Sequence, residues 1–589
     1  MLKKFFIAML GSIAGVWIAI AIGFFCIMGL VGALMSSDDQ AKPSLEKHTA
    51  LWLDLNGAMP ERYQPADIWQ LLRDDTQDGD ALIDVLDAVR QAANDSKIEG
   101  IYITSLAGKG SGAGLAAREE IISALREFKK SGKWIVAYGD YYGQADYMLA
   151  AAAADSLMMN PCGNVDVHGM ASRIPLFKEL MDKLGVKMTI TRVGTFKSAV
   201  EPFMGTEISP ANRLQTQVML DSMWNYASSS IARGRRVKAA TVNMWADSII
   251  STWTARQTLD ASAVTSLAYQ RQAEDVVRRM AGIDEDDDIR LITPSEYILT
   301  KKAVNSSKKH IAVLVAAGDI VDSGEGGIVA ESMVPEILSL AEDDNVGALV
   351  LRVNSGGGSA FASEQIWEAL EHFKKQGKPF YVSMGDYAAS GGYYISCGAD
   401  KIYADRTTLT GSIGVFGMIP DLSGLVTDKL GVHFSTVSTN PAATIVAPTG
   451  PLTPGQLDAL QRSVDDIYDL FTSRVAAGRG ISQDSVKVIA EGRVWTGGSA
   501  LRLGLVDKIG GLREAVRDIA KEADIDADRV VYYPEVETNA FTEMLRNARG
   551  QVQIGPASVD AGTLRMLRLL DYLRRMNRVQ ARMAPVEFY

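Results

Sequence analysis

At 589 residues the chain is too long for one ordinary hydrophobic core, so two domains are expected, each large enough to bury its own. A formal net charge of -11 argues against nucleic acid as a partner, because a nucleic-acid reader needs a basic face. Three cysteines, Cys26, Cys162 and Cys397, are too few and too scattered for a disulfide framework or a zinc site, so the last two are expected as small buried side chains and no metal or cofactor is expected.

Taken in chain order, residues 1–47 read as a cytoplasmic stub, a membrane anchor and a linker. No charged residue occurs in residues 5–35, and roughly 20 apolar residues span a bilayer. Lys3 and Lys4 precede this run, and Asp38 and Asp39 come after it. The positive-inside rule then leaves the N-terminus in the cytoplasm of a single-pass inner-membrane protein, with everything after the anchor on the periplasmic side. A cleaved signal peptide ending near Val31 and Ala33 competes with this reading, but the run exceeds the usual length of ~7–15 residues, which favours an uncleaved anchor.

Residues 48–305 and 306–535 read as one α/β unit written twice, at an offset of about 246 residues. The strand-like segment 50–55 matches 311–316. Glu127-Phe128-Lys129-Lys130 recurs as His372-Phe373-Lys374-Lys375, and Gly139-Asp140-Tyr141 as Gly385-Asp386-Tyr387. Short β-branched runs alternate with amphipathic helices, the signature of βαβ units around a largely parallel sheet. Between the units, residues 209–280 read as mostly helical, opened by Ser209-Pro210, and Asp284–Asp288 as a solvated acidic loop. Residues 536–589 read as an amphipathic helical tail carrying Arg565, Arg568, Arg574, Arg575, Arg578 and Arg582, which suits docking on protein better than on lipid.

Chemistry concentrates in the second unit. Residues 380–395 read as strand, turn and helix start with Ser390 at the junction, where small neighbours admit a substrate and the Gly391 N–H faces a developing oxyanion. Taken alone, this serine reads more simply as a helix N-cap. Some 32 residues upstream, a strand runs into Gly356-Gly357-Gly358, whose bare amides suit an oxyanion hole, a phosphate cradle or a plain turn. One helix and one strand separate the two loops, which places both at the same edge of a parallel sheet.

None of His48, His168, His310, His372 and His433 sits in a motif that would serve the serine as base. Lys197, among Phe196, Ala199, Val200 and Phe203, is the alternative, provided that burial lowers its pKa from about 10.4 to roughly 7–8. An exposed lysine paired with Glu201 is the plainer reading of the same residue. The repeat shifts the balance. Lys197 falls on Ala443 in the second unit and Ser390 on Gln144 in the first, the complementary loss expected if a duplicated enzyme kept one composite site.

The segments Gly385–Tyr394, Thr410–Gly417 and Phe196–Phe203 closely resemble the signal peptide peptidase A (protease IV) family, in its long tandem-domain Gram-negative form. The resemblance covers nearly the whole chain. It implies two tandem Clp-protease/crotonase-like domains and a Ser-Lys dyad that degrades cleaved signal peptides and other short apolar peptides. Ser390 would then be the nucleophile, Lys197 the general base, Ser412 the residue that orients the lysine, and the amides of Gly357 or Gly358 and of Gly391 the oxyanion hole. The family's usual Ser-Pro-Gly-Gly is replaced here by Ser355-Gly356-Gly357-Gly358, which loosens that loop. A membrane-tethered, bowl-shaped homo-oligomer, a tetramer by resemblance, is also implied. Competing readings are a crotonase-like acyl-CoA enzyme and a non-catalytic membrane scaffold.

Overall fold

The computed structural model describes residues 44–57, 59–63, 79–106, 112–302, 304–324, 326–445, 449–535 and 579–583. Its first half alternates strand and helix: β1 (Thr49–Asp54), α1 (Leu82–Asn94), β2 (Ile98–Ser105), α2 (Leu115–Phe128), β3 (Trp134–Tyr142), α3 (Gln144–Ala153) and β4 (Ser156–Val165). The four strands are parallel in the order β4-β3-β2-β1, with Ser266–Leu267 and Leu291–Ile292 on the two edges. Almost every residue of β2 is buried, as strands covered on both faces require. Beyond this sheet lie β5 (Lys187–Val193) and the long helix α4 (Pro210–Arg235). The Ser209 hydroxyl accepts the Asn212 N–H at the start of α4, and Pro210 fits its first turn, where no N–H partner is needed.

The second half repeats the alternation with β6 (His310–Ala317), β7 (Val346–Ser355), β8 (Gly357–Ser359), α5 (Ala360–Lys375), β9 (Phe380–Ala389), α6 (Gly391–Ser396), β10 (Leu409–Gly411), β11 (Val415–Asp421), β12 (Val494–Thr496) and β13 (Val530–Tyr533). Its sheet runs β12-β10-β9-β7-β6-β13. Leu349, Leu351 and Val353 in β7 are fully buried beneath α5, whose Ile366, Leu370 and Phe373 belong to the same core. Each half thus has its own large apolar core.

A third sheet joins the halves. Its order is Ile328–Val329, Ile320–Val321, β8, β14 (Val579–Arg582), β11 and β5. Strand β5 of the first half pairs antiparallel with β11 of the second over seven residues, from Val193 opposite Val415 to Lys187 opposite Asp421.

Two expectations are corrected here. Arg582, expected in a helical tail, lies in the strand β14, because the backbone edges of β8 and β11 offer residues 579–582 a ladder on both sides. The other five arginines of that segment lie outside the described residues. Cys162 is exposed within β4, in the bulge where residues 160–163 stand opposite the single residue Asp140, whereas Cys397 is fully buried. Among the described residues no helix is long and apolar enough to cross a membrane, and residues 5–35 lie outside them.

Candidate active site

Strand β9 ends at a sharp corner. Ser390 has φ 57° and ψ -112°, a backbone conformation that non-glycine residues adopt at a cost of about 1–3 kcal/mol and that clusters at functional sites. Its N–H donates to the Gly411 carbonyl at 2.7 Å, and its carbonyl accepts the Tyr394 N–H at 2.8 Å, so neighbours on both sides hold the turn. The side chain makes no capping hydrogen bond to α6, which disposes of the N-cap reading. Gly391 has no room for a larger residue: a Cβ there would lie 2.8 Å from Ser363 Oγ.

Lys197 arrives from the other half. The pairing of β5 with β11 delivers the turn after Val193 beside Ser412, shortly before β11 begins its own ladder at Val415. Gly492, at φ 71°, lies so close to Lys197 that a Cβ there would meet the lysine Cβ at 2.6 Å. The Phe196 N–H donates to the Glu491 carbonyl at 2.9 Å, and Gln215 on α4 donates to the Phe196 carbonyl and to Ser198 Oγ.

The resulting contact is direct. Lys197 Nζ lies 2.7 Å from Ser390 Oγ, 3.0 Å from the Ser412 carbonyl and 3.2 Å from Ser412 Oγ. Lys197 is 1% exposed, and Ser390 is fully buried. Glu201 does not pair with the lysine; its carboxylate accepts from Ser209 and Asn212 instead. Burial without a neighbouring carboxylate holds the Lys197 ammonium well below its ordinary pKa, so the neutral amine, with a lone pair free for the serine proton, is favoured.

The histidines stand elsewhere. His310 is buried against Tyr533, His372 meets Gln376 at the end of α5, His168 meets Asp166, and His48 meets the Ala281 carbonyl. His433 is exposed. In the first half Gln144 occupies the repeat position equivalent to Ser390 and spends its amide on Gly169 and His168.

Among the glycines, Gly357 and Gly391 converge: a Cβ on Gly357 would lie 2.7 Å from the Gly391 nitrogen. The Gly357 N–H, however, donates to Ser355 Oγ at 3.1 Å, and Gly358 sits within β8 opposite Ile320 and Ala581. Among the described residues no cluster of His, Cys, Asp and Glu has the arrangement of a metal site.

Sequence reasoning missed β14. This strand lies in the groove between β8 and β11, with Ala581 opposite Gly358 and Gln580 opposite Phe416. Met583 beyond it donates its N–H to the Gly356 carbonyl and packs with Met219, Met223, Ala389 and Leu409 in an apolar cluster beside Ser390. Nothing local in the sequence marks that cluster, because α4 supplies one wall and the second half the other.

The sequence model of peptidase family S49 matches residues 127–284 and again residues 372–526. The chain belongs to peptidase family S49. It is a serine protease. This S49 peptidase is 37% identical to Protease 4 of Haemophilus influenzae over 504 residues, covering 82% of this chain and 80% of that one. It is 35% identical to Protease 4 of Salmonella typhi over 91% of this chain and 86% of that one. A chloroplastic serine protease SPPA of Arabidopsis thaliana is 28% identical over 85% of this chain and 73% of its own. The two matched stretches of the S49 peptidase contain Lys197 in the first and Ser390 with Ser412 in the second.

Proposed function

We propose that this S49 peptidase is a Ser-Lys endopeptidase, anchored in the inner membrane by residues 5–35, that degrades cleaved signal peptides and other short apolar peptides on the periplasmic side. The single observation that carries the dyad is the 2.7 Å approach of Lys197 Nζ to Ser390 Oγ in a buried site. In this reading the two halves are Clp-protease/crotonase-like units sharing one composite centre, and the chain assembles as a homo-oligomer of the bowl-shaped kind.

Neutral Lys197 removes the Ser390 proton as Oγ attacks the substrate carbonyl. Ser412 keeps the amine aimed by accepting its remaining N–H groups through the carbonyl and Oγ. The oxyanion of the tetrahedral intermediate is received first by the Gly391 N–H, because the Gly357 N–H is engaged by Ser355 and Gly358 lies in a strand. Collapse breaks the C–N bond, and the Lys197 ammonium protonates the departing amine. Water then attacks the acyl-Ser390 ester with Lys197 again as base, releasing the acid and restoring Oγ–H.

The groove held by β14 marks where an extended peptide adds between β8 and β11, through backbone pairing that is indifferent to sequence. The apolar pocket that Met583 fills, among Met219, Met223, Ala389 and Leu409, would then select an uncharged side chain.

The test is hydrolysis of a fluorogenic apolar peptide by the purified protein across pH. Ser390→Ala and Lys197→Ala are each expected to lose at least ~10³-fold in kcat while remaining folded. Wild-type kcat/KM is expected to rise with pH as Lys197 deprotonates, along a limb lying well below the ordinary lysine range. Retained turnover in Lys197→Ala would return the search for a base to other residues.

A further inference from the structure

The first half gives the Ser390 site more than a lysine. In the pairing of β7 with β9, Val353 faces Met384, but the next facing pair is Ser355 with Ala388. Gly385, Asp386 and Tyr387 therefore bulge opposite the single residue Asn354, immediately before the nucleophile corner. Such a bulge bends a strand and re-aims the residues beyond it, so the groups that hold its shape also set the direction of Ser390.

Asp386 in the bulge accepts the Ala116 and Ala117 N–H groups, the Gly385 carbonyl accepts the Thr408 hydroxyl, and a further chain of contacts leads to one carboxylate of the other half. Asn354 Oδ1 accepts the Tyr387 N–H at 3.1 Å, and Asn354 Nδ2 donates to Glu61 Oε1 at 2.8 Å. Arg352 donates from Nε to Glu61 Oε2 at 2.8 Å and from Nη2 to Glu61 Oε1 at 3.3 Å. The Glu61 carboxylate also fills the space a side chain on Gly385 would need, since a Cβ there would lie 2.6 Å from Oε1.

Each partner is itself fixed. Arg352 is fully buried, pairs with Glu120 at 2.6 Å and donates to Ser383 Oγ at 3.0 Å. Glu61 is 6% exposed, and the carbonyls of Pro60 and Glu61 accept the N–H groups of Leu82 and Ile83 at the start of α1. Asn354 leads directly into Ser355, whose hydroxyl holds Gly357 in the glycine loop.

We propose that Glu61 is a positioning residue for the reaction at Ser390: through Asn354 and Arg352 it fixes the bulge that aims the nucleophile. It touches no substrate atom. The second half, although it carries the serine and both loops, reaches catalytic geometry only with the first half docked on it. This inference rests on the Ser-Lys reading of the site.

The experiment measures kcat and KM on the fluorogenic peptide, and the rate of Ser390 labelling by a fluorophosphonate, at a temperature below the Tm of every variant. Glu61→Ala is expected to lower kcat about 100-fold, the scale of a sub-ångström to 1 Å misplacement of reacting groups, and to slow labelling in parallel. KM should stay within about twofold, because peptide pairing with β8 and β11 is untouched. Glu61→Gln keeps an acceptor for Asn354 and is expected to recover about 10-fold of that loss. Asn354→Ala should resemble Glu61→Ala, and the double variant should be no worse than either single one, because both act along one path.

Wild-type kcat in Glu61→Ala with only a lowered Tm, a loss confined to KM, or losses that multiply in the double variant would each overturn the proposal. Should Glu61→Ala fail to fold, wild-type kcat in both Glu61→Gln and Asn354→Ala overturns it equally. Turnover surviving in Ser390→Ala would instead remove the Ser-Lys reading itself, and the inference with it.

Discussion

As the proposed general base, Lys197 is a residue whose function and stability pull in opposite directions. Burial is the cause of its lowered pKa, and the unfolded chain titrates near the ordinary value of about 10.4. Between those two pH values the unfolded chain binds one proton more than the folded chain, so stability at this site rises with pH and the penalty vanishes only above the unfolded pKa. At neutral pH the residue therefore costs stability. Lys197→Met keeps the shape and removes the ionisable group. It is expected to be inactive yet to raise Tm at pH 7 by about 2–4 °C for each kcal/mol recovered, with the gain shrinking as the pH approaches 10. Thermal unfolding at several pH values checks this, and a lower Tm than wild type at pH 7 would contradict a buried neutral amine. Ser390 carries a similar tension in its backbone, where a positive φ is imposed by the hydrogen bonds to Gly411 and Tyr394.

Strand β14 is the element with the clearest consequence for binding. A substrate strand that enters as proposed, between β8 and β11, meets a competitor from the same chain. A variant ending at Arg578 is therefore expected to show a lower KM for the fluorogenic peptide with kcat little changed. Adding a synthetic peptide of residues 579–589 should inhibit that variant competitively. Unchanged KM and no inhibition would show that substrate enters elsewhere. The β5–β11 ladder has the complementary role, because without its register the turn bearing Lys197 would not meet Ser412.

For the whole molecule, the decisive feature is how the halves interlock behind the site. Asp386, in the bulge of β9, accepts the N–H groups of Ala116 and Ala117 at the start of α2, and Gly114 must lack a side chain to let it in. Glu119 on the same helix accepts from Thr407, and Glu120 accepts the Leu512 N–H while pairing with Arg352. Burial and the nearby Glu61 charge push the Glu120 carboxyl up to about 7 despite its arginine. Helix capping by a side chain is worth about 0.5–2 kcal/mol, so Asp386→Ala is expected to lower stability by about that much in chemical denaturation. Its unfolding should also become less cooperative, because the cap belongs to one half and the helix to the other. A variant matching wild type in midpoint and slope would mean that the contact does not couple the halves.

The alternation of strands and helices, the duplication and the complementary survival of Lys197 in one unit and Ser390 in the other were all legible in the residues alone. Apolar periodicity and short motifs are local properties, and a repeat makes corresponding positions comparable without coordinates. The roles of Glu61, Asn354, Met219, Met223 and the strand at Val579–Arg582 were not legible, because each depends on which distant segments the third sheet and the docked halves bring together. The same reason decided the basic tail. A sequence rich in arginine, leucine and methionine has helical periodicity, but two open backbone edges on either side of a groove satisfy its last residues better as a strand. Sequence by itself determined which chemical groups the enzyme possesses. Tertiary structure decided that the lysine loses its water and meets the serine, because desolvation and distance are properties of packing between segments rather than of any segment alone.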